Sequence, residues 1–283
     1  ALFPVKVPDD FLCQVITLQG TESADKLIHQ IFRLGLTLWS EKLFEDVFGF
    51  RSARTRSRTA PRAGADLRYD LKLPFLEAAR RTGVSRVILA STEWVYGSLP
   101  EAGEENITEE TPYTDNPDHI YTSSKIAAEL FCKNYRSLYG VHYTIMRYGI
   151  PFGERARPET VTPIFIRRIS RGEPITIHGD GSQSRQFIYV KDLARGNAAC
   201  LNPAAEDQVF NLNGKKRISV VQIVKTIEEI LGKKASVTFI EDRKGNFKGR
   251  FISSEKASRL LDWEAALDYE DAMRMYVTQF LKS

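Results

Sequence analysis

The sequence predicts an α/β protein with a parallel sheet and helices on its faces, because strand-like and helix-like runs alternate after residue 70. The helix-like runs have apolar residues at helical spacing and end at a glycine. The strand-like runs are short and mostly apolar, which is typical of buried parallel strands. The helix-like runs are residues 75–84, 121–139 and 219–232, and the strand-like runs are residues 85–91 and 141–148.

The first 70 residues follow this pattern poorly. Residues 11–18 are apolar enough for a strand, and residues 24–48 have apolar positions at roughly helical spacing. Residues 51–68 contain six arginines and one acid, a net charge of +5, without apolar periodicity. We interpret residues 51–68 as a solvated loop. A basic arm for polyanions is the alternative, although no aromatic residue is interleaved for base stacking.

Composition excludes several classes of protein. A chain of 283 residues with 42% hydrophobic and 27% charged residues is not a disordered chain or a coiled coil, and no apolar run approaches the ~20 residues that span a bilayer. The net charge is +4, and residues 51–68 carry +5, so the rest of the chain has a net charge of −1. Because the basic charge is confined to one segment without a nucleic-acid motif, no nucleic-acid partner is predicted. Three scattered cysteines predict no disulfide framework and a cytoplasmic protein. The four scattered histidines predict no metal site.

The most informative residues are Tyr121 and Lys125, which lie four positions apart in a predicted helix. Side chains at this spacing share one face, with Cβ atoms about 5–6 Å apart. The ammonium group favours the phenolate, the form of tyrosine that accepts a proton. Thr92 follows the strand at 85–91, where ligand-facing residues of such sheets lie. Together these residues can remove a proton from an alcohol, although a solvated helix face also produces the Tyr–Lys spacing by chance.

Several motifs occur in a consistent order between residue 75 and the end of the chain. They are ASTEWVYG at 90–97, YTSSK at 121–125, MRYGIPFG at 146–153, GDGSQSRQFIYVKDLA at 179–194, FNLNG at 210–214 and DRKG at 242–245. The series resembles the extended short-chain dehydrogenase/reductases, specifically the NAD-dependent nucleotide-sugar epimerase/dehydratase family. The resemblance covers roughly three quarters of the chain.

The resemblance implies a Rossmann-like doubly wound parallel sheet, with an incomplete or divergent N-terminal part and a smaller α/β C-terminal substrate-binding region. Residues 1–70 would stand in place of the first half of the NAD-binding fold. Residues 71–155 would form the rest of the Rossmann core, with the catalytic residues. Residues 156–283 would form the nucleotide-sugar-binding region, interleaved with the core.

The resemblance also implies roles for individual residues. Tyr121 would be the catalytic base, Lys125 would hold the ribose of NAD, and Thr92 would complete the triad. Gly149 would lie on the cofactor side, and Glu93 would be available as an acid. Its alternative role is that of a carboxylate satisfied at the end of a strand.

On the substrate side, the resemblance assigns Arg185 and Arg243 to the nucleotide pyrophosphate, with surface salt bridges as the alternative. The Asp180–Gly181 pair predicts a turn between two strands. Ile150 replaces the asparagine that many family members use to bind substrate, so the identity of the sugar is not carried over. The expected partners are a nucleotide sugar and a second copy of the chain. Ile126, Leu130 and Tyr135 are candidates for the dimer surface, although core packing explains them equally well.

The implied reaction is hydride abstraction from C4 of a sugar by NAD, giving a 4-keto intermediate. A 4-epimerase similar to UDP-glucose 4-epimerase is favoured. A 4,6-dehydratase is the alternative, but dehydratases commonly follow the threonine with Asp-Glu, where this chain has Glu93-Trp94.

The glycine-rich turn of a dinucleotide site is missing, since residues 1–74 contain only Gly20, Gly35, Gly49 and Gly64. Three explanations stay open. The first 70 residues are a frameshifted or rearranged terminus, they bind the cofactor by other means, or the chain is a catalytically silent nucleotide-sugar-binding relative.

Overall fold

The computed structural model describes residues 15–18, 72–97, 106–117, 119–242 and 251–282. The helical spacing predicted at 24–48, the arginine-rich residues 51–68 and Arg243 lie outside the described residues. The chain divides into two compact units. The first contains residues 1–89 and 127–143, and the second contains residues 90–126 and 144–283. The predicted boundaries at residues 70 and 155 stay a prediction.

Seven α-helices and nine strands alternate in the described part of the chain. The helices are α1 (Lys72–Thr82), α2 (Ile120–Tyr139), α3 (Val161–Arg171), α4 (Val190–Ala199), α5 (Val220–Leu231), α6 (Glu255–Leu261) and α7 (Tyr269–Phe280). The strands are β1 (Val15–Leu18), β2 (Arg86–Thr92), β3 (His142–Tyr148), β4 (Ile150–Phe152), β5 (Ile175–His178), β6 (Ser184–Tyr189), β7 (Gln208–Leu212), β8 (Arg217–Ser219) and β9 (Val237–Ile240).

Strands β1 and β2 pair in the first unit, and β3 and β7 pair in the second. In the second unit, β3 and β7 are parallel, with Thr144 opposite Gln208 and Tyr148 opposite Leu212. In the first unit, β1 runs antiparallel to β2, with Val15 opposite Leu89. The α/β class with parallel strands is therefore confirmed, whereas β1 departs from the parallel arrangement. The carboxyl ends of β3 and β7 lie side by side, which makes this edge of the sheet the expected place for ligands.

Local sequence signals define the ends of the main helices. Helices α1, α2 and α5 are followed by Gly83, Gly140 and Gly232, each with a positive φ that favours glycine. Helix α5 begins with a capping box, in which the Ser219 hydroxyl accepts from the Gln222 N–H and the Gln222 side chain accepts from the Ser219 N–H. The ends of these helices are where the sequence predicts them, whereas α1 begins at Lys72, three residues before the predicted start at residue 75.

The core of the second unit lies where α3, α5 and α7 pack around the two smaller sheets. Its buried side chains include Phe152, Ile166, Ile177, Ile223 and Met273. The smaller sheets have the orders β4-β6-β8 and β5-β9. The turn predicted at Asp180–Gly181 is present, with the Ser182 N–H donating to Asp180 Oδ1 at 2.8 Å. It connects strands of different sheets rather than forming a hairpin.

Candidate active site

The carboxyl end of β2 is held in a rigid turn. Thr92 is its last residue, is 5% exposed, and accepts the Trp94 N–H at its hydroxyl at 3.3 Å. A 3₁₀ turn, Glu93–Tyr96, follows and ends at Gly97, where φ is +59°. Val95 and Tyr96 are fully buried in a small apolar cluster, so the backbone of this turn is fixed by its packing. The residues after the strand therefore have defined positions.

Helix α2 brings the predicted lysine to this strand end. The Lys125 ammonium donates to the carbonyl oxygen of Ala90 at 2.7 Å, two residues before Thr92. It also lies 5.6 Å from the centre of the Tyr121 ring, and the lysine is only 7% exposed. The structure thus joins the Tyr121–Lys125 face to the end of β2.

Glu93 follows Thr92 and is buried, and the half-buried Arg185 is the charged group that acts on it. Burial raises the pKa of Glu93 to about 8, and the nearby positive charge of Arg185 opposes this rise. Burial lowers the pKa of Arg185, and Glu93 opposes that change, yet a guanidinium stays charged in proteins. Near neutral pH Glu93 therefore has a large protonated fraction and can donate a proton or a hydrogen bond.

Gly149 and Asn213 directly follow β3 and β7. A Cβ atom at Gly149 would overlap the Asn213 carboxamide oxygen and come within 2.7 Å of the Gln186 carbonyl oxygen. The need for glycine at this position is therefore explained by Asn213. Asn213 is 3% exposed, and neither the oxygen nor the nitrogen of its side-chain carboxamide has a hydrogen-bond partner in the described part of the chain.

A buried polar network supports the same edge of the sheet. Arg147 donates to the Tyr96 hydroxyl at 2.8 Å, and that hydroxyl donates to Asn211 Oδ1 at 2.7 Å. The Asn211 N–H donates to Glu109 Oε1 at 2.7 Å, and the Arg147 guanidinium lies 5.1 Å from the Tyr113 ring centre. This network ties the chain at 107–113 to the ends of β3 and β7. Sequence reasoning missed it, although an arginine inside the apolar run at 141–148 was a signal.

The remaining predicted residues have simple positions. Arg185 lies on β6, where its guanidinium donates to its neighbour's carbonyl, Ser184 O, at 2.8 Å. Its Cζ lies 5.6 Å from the centre of the Trp94 ring. Ile150 begins β4 opposite Phe187 and packs against the core of the second unit. Arg243 lies outside the described residues.

A family model describes most of this region. The NAD dependent epimerase/dehydratase family matches residues 45–212. The chain belongs to this family. Six of the seven predicted site residues lie within the matched region, namely Thr92, Glu93, Tyr121, Lys125, Gly149 and Arg185.

Individual members of the epimerase/dehydratase family are similar over about three quarters of the chain. A UDP-glucuronate 4-epimerase of Thermodesulfobacterium geofontis is 33% identical over 205 residues, which are 72% of this chain and 62% of that protein. The UDP-glucose 4-epimerase of Thermotoga maritima, solved with UDP-glucose, is 29% identical with a TM-score of 0.69, covering 75% of this chain and 68% of that one. The UDP-glucuronic acid 4-epimerase of Bacillus cereus, solved with UDP-glucuronic acid and NAD, is 27% identical with a TM-score of 0.70, covering 76% and 67%.

The chain spans about 62% of the length of the first of these relatives. The described residues offer one feature that suits a dinucleotide, the buried Lys125 ammonium at the end of β2, because an ammonium can donate hydrogen bonds to ribose hydroxyls. The opposite end of the dinucleotide would need the glycine-rich turn that residues 1–74 lack in sequence.

Within the described residues, no helix is both long and apolar enough to span a bilayer.

Proposed function

We propose that this chain is an NAD-dependent nucleotide-sugar 4-epimerase that acts through a 4-keto intermediate. The proposal rests on one observation, the 2.7 Å hydrogen bond from Lys125 to the Ala90 carbonyl. This bond supports the proposal because it ties the helix that carries Tyr121 to the strand that ends at Thr92. Proton removal from an alcohol needs a hydroxyl partner, a base and a cation at one place, and these three residues supply them.

Each residue has a separate task in the proposed reaction. Tyr121 takes the proton from the O4 hydroxyl of the sugar as general base, with the Lys125 ammonium 5.6 Å from the centre of its ring. The Thr92 hydroxyl orients O4 by a hydrogen bond. NAD supplies the hydride acceptor when it is bound, with Lys125 and Tyr121 holding its ribose and Gly149 on the cofactor side.

The turn after Thr92 favours epimerisation over dehydration. Elimination of water between C5 and C6 requires one group that removes the C5 proton and another that protonates the leaving hydroxyl. Glu93 is a carboxyl group, but Trp94 offers an indole, which neither accepts nor donates a proton in this pH range. Glu93 would then donate a hydrogen bond to the sugar in its protonated form.

The proposed substrate is a nucleotide diphosphate sugar whose pyrophosphate pairs with Arg185 and Arg243. A guanidinium binds two phosphate oxygens at once, and Arg185 is half-buried, which limits screening of this contact by water. We also propose a cytoplasmic homodimer that associates through α2, where Leu130 is 44% exposed. Light scattering of the purified chain measures this state, and a monomer at micromolar concentration contradicts it.

The test of the proposed function is the Tyr121→Phe variant, assayed with UDP-glucose and UDP-glucuronate. Loss of the phenol should lower kcat by about 10²–10⁴-fold, because the general base is gone while the ring is kept. Binding of UDP should be unchanged within about twofold. Full activity of Tyr121→Phe on either sugar would show that another residue is the base. The product, a 4-epimer or a 4-keto-6-deoxy sugar, separates the epimerase from the dehydratase.

A catalytically silent nucleotide-sugar-binding relative is the second candidate, favoured by the missing glycine-rich turn. The two candidates differ in cofactor uptake. Calorimetry with NAD, together with quenching of tryptophan fluorescence, should give saturable binding to an epimerase. Absence of NAD binding at millimolar concentration, with UDP binding retained, favours the silent relative.

A further inference from the structure

Trp94 lies between two side chains that come from distant parts of the chain. Its indole ring centre is 5.6 Å from the Arg185 guanidinium carbon and 5.9 Å from the His119 ring centre, with the two rings tilted by 58°. Arg185 comes from β6, and His119 lies just before α2. The indole therefore connects the substrate-side arginine to the turn that follows Thr92.

The backbone that presents Trp94 is rigid. Its N–H donates to the Thr92 hydroxyl, and its carbonyl accepts from the Gly97 N–H at 3.0 Å. Val95 and Tyr96, which follow Trp94, are at most 1% exposed, so packing of these side chains fixes the turn. A half-buried aromatic ring on such a turn provides a fixed flat surface.

Arg185 gains order from this surface. An arginine side chain loses considerable rotamer entropy when it is fixed, and a ligand that must fix it binds more weakly. Contact with an indole face and the hydrogen bond to Ser184 O restrict the guanidinium before any ligand binds. Glu93 is next to this guanidinium, and in its protonated form it does not neutralise the cation.

We propose that Trp94 is a positioning residue that preorganises Arg185 for the diphosphate of a nucleotide. The inference rests on the proposed function, since it concerns the same substrate. The chemistry recognised is a pair of anionic oxygens facing a planar guanidinium fork. A sugar carboxylate offers the same chemistry, and the probe UDP, which has the diphosphate and lacks a sugar, distinguishes the two sources.

The experiment is a double-mutant cycle on UDP affinity, measured by calorimetry. Trp94→Leu should weaken UDP binding about 5- to 30-fold, the range of a cation–π contact at a half-buried site. Trp94→Phe, which keeps a flat aromatic face, should restore affinity to within about threefold of the wild type. In an Arg185→Ala background, Trp94→Leu should have no further effect, because the group that it positions is absent.

The matched control is His119→Ala, which removes the other ring next to Trp94 and should leave UDP affinity within about twofold. Equal loss from Trp94→Leu in the wild-type and Arg185→Ala backgrounds would mean a merely structural role and would overturn the inference. An unchanged UDP affinity in Trp94→Leu overturns it as well, and both results leave the proposed function standing. An effect seen with UDP-glucuronate alone assigns Arg185 to the sugar carboxylate and also overturns it. A wild-type protein that binds no UDP overturns both proposals.

Discussion

Asn211 and Asn213 lie two residues apart at the end of β7, and both are almost fully buried. The Asn211 amide accepts from the Tyr96 hydroxyl at 2.7 Å and donates to the Ser253 carbonyl at 3.1 Å. The Asn213 amide has no partner among the described residues and fills the space beside Gly149. A paired buried amide stabilises the fold, whereas an unpaired one lowers the free energy of unfolding. The same residue type therefore has opposite effects within one strand end.

The largest effect is expected for Asn211→Leu. The substitution leaves the Ser253 carbonyl without its donor and the Tyr96 hydroxyl without its acceptor, at about 1–3 kcal/mol for each buried group. The free energy of unfolding should fall by about 2–6 kcal/mol in urea titrations monitored by circular dichroism. A loss below about 1 kcal/mol would contradict the structural role of this network.

Glu93→Gln tests the third kind of buried polar group, one that titrates. The pKa of Glu93 is raised from 4.5 to about 8, so the folded protein binds this proton more tightly than the unfolded chain does. The contribution of the Glu93 proton to the free energy of unfolding is fully present below pH 4.5 and is lost as the pH rises through about 8. Glutamine stays neutral, so the variant should be more stable than the wild type at pH 8.5, on the order of 3 kcal/mol.

The measurement for Glu93→Gln is urea unfolding at pH 5 and at pH 8.5. At pH 5 the two proteins should differ little, because both side chains are then mostly neutral in the folded state. A difference between the proteins that is the same at both pH values would show that Glu93 is ionised throughout.

The smallest effect is expected for Asn213→Leu, the same substitution as at position 211. An apolar side chain of similar shape removes an amide without a partner, so the free energy of unfolding should rise by about 1 kcal/mol. The two leucine variants therefore serve as controls for each other. A loss of stability at position 213 comparable with that at position 211 would remove the distinction between the two asparagines.

Much of the fold could be predicted because its signals are local. The ends of α1, α2 and α5 follow from glycines just after each helix, and α5 also follows from the Ser219–Gln222 capping box. The site could be predicted in part, since the Tyr121–Lys125 spacing fixes one helix face. The antiparallel pairing of β1 could not, because strand direction depends on contacts between Val15–Leu18 and β2 that lie about 70 residues away in sequence.

By itself, the sequence determined the α/β class, the main helices and the family, because periodicity, caps and motifs act within a few positions, and the triad of Thr92, Tyr121 and Lys125 stays a prediction. Only the tertiary structure decided which polar groups have partners. It brought Lys125 to Ala90 and placed Trp94 against Arg185. It also gave the Asn211 side chain hydrogen-bond partners, whereas the Asn213 side chain has none among the described residues. The contacts of Lys125 with Ala90 and of Trp94 with Arg185 join residues that are tens of positions apart in sequence, so local signals cannot predict them.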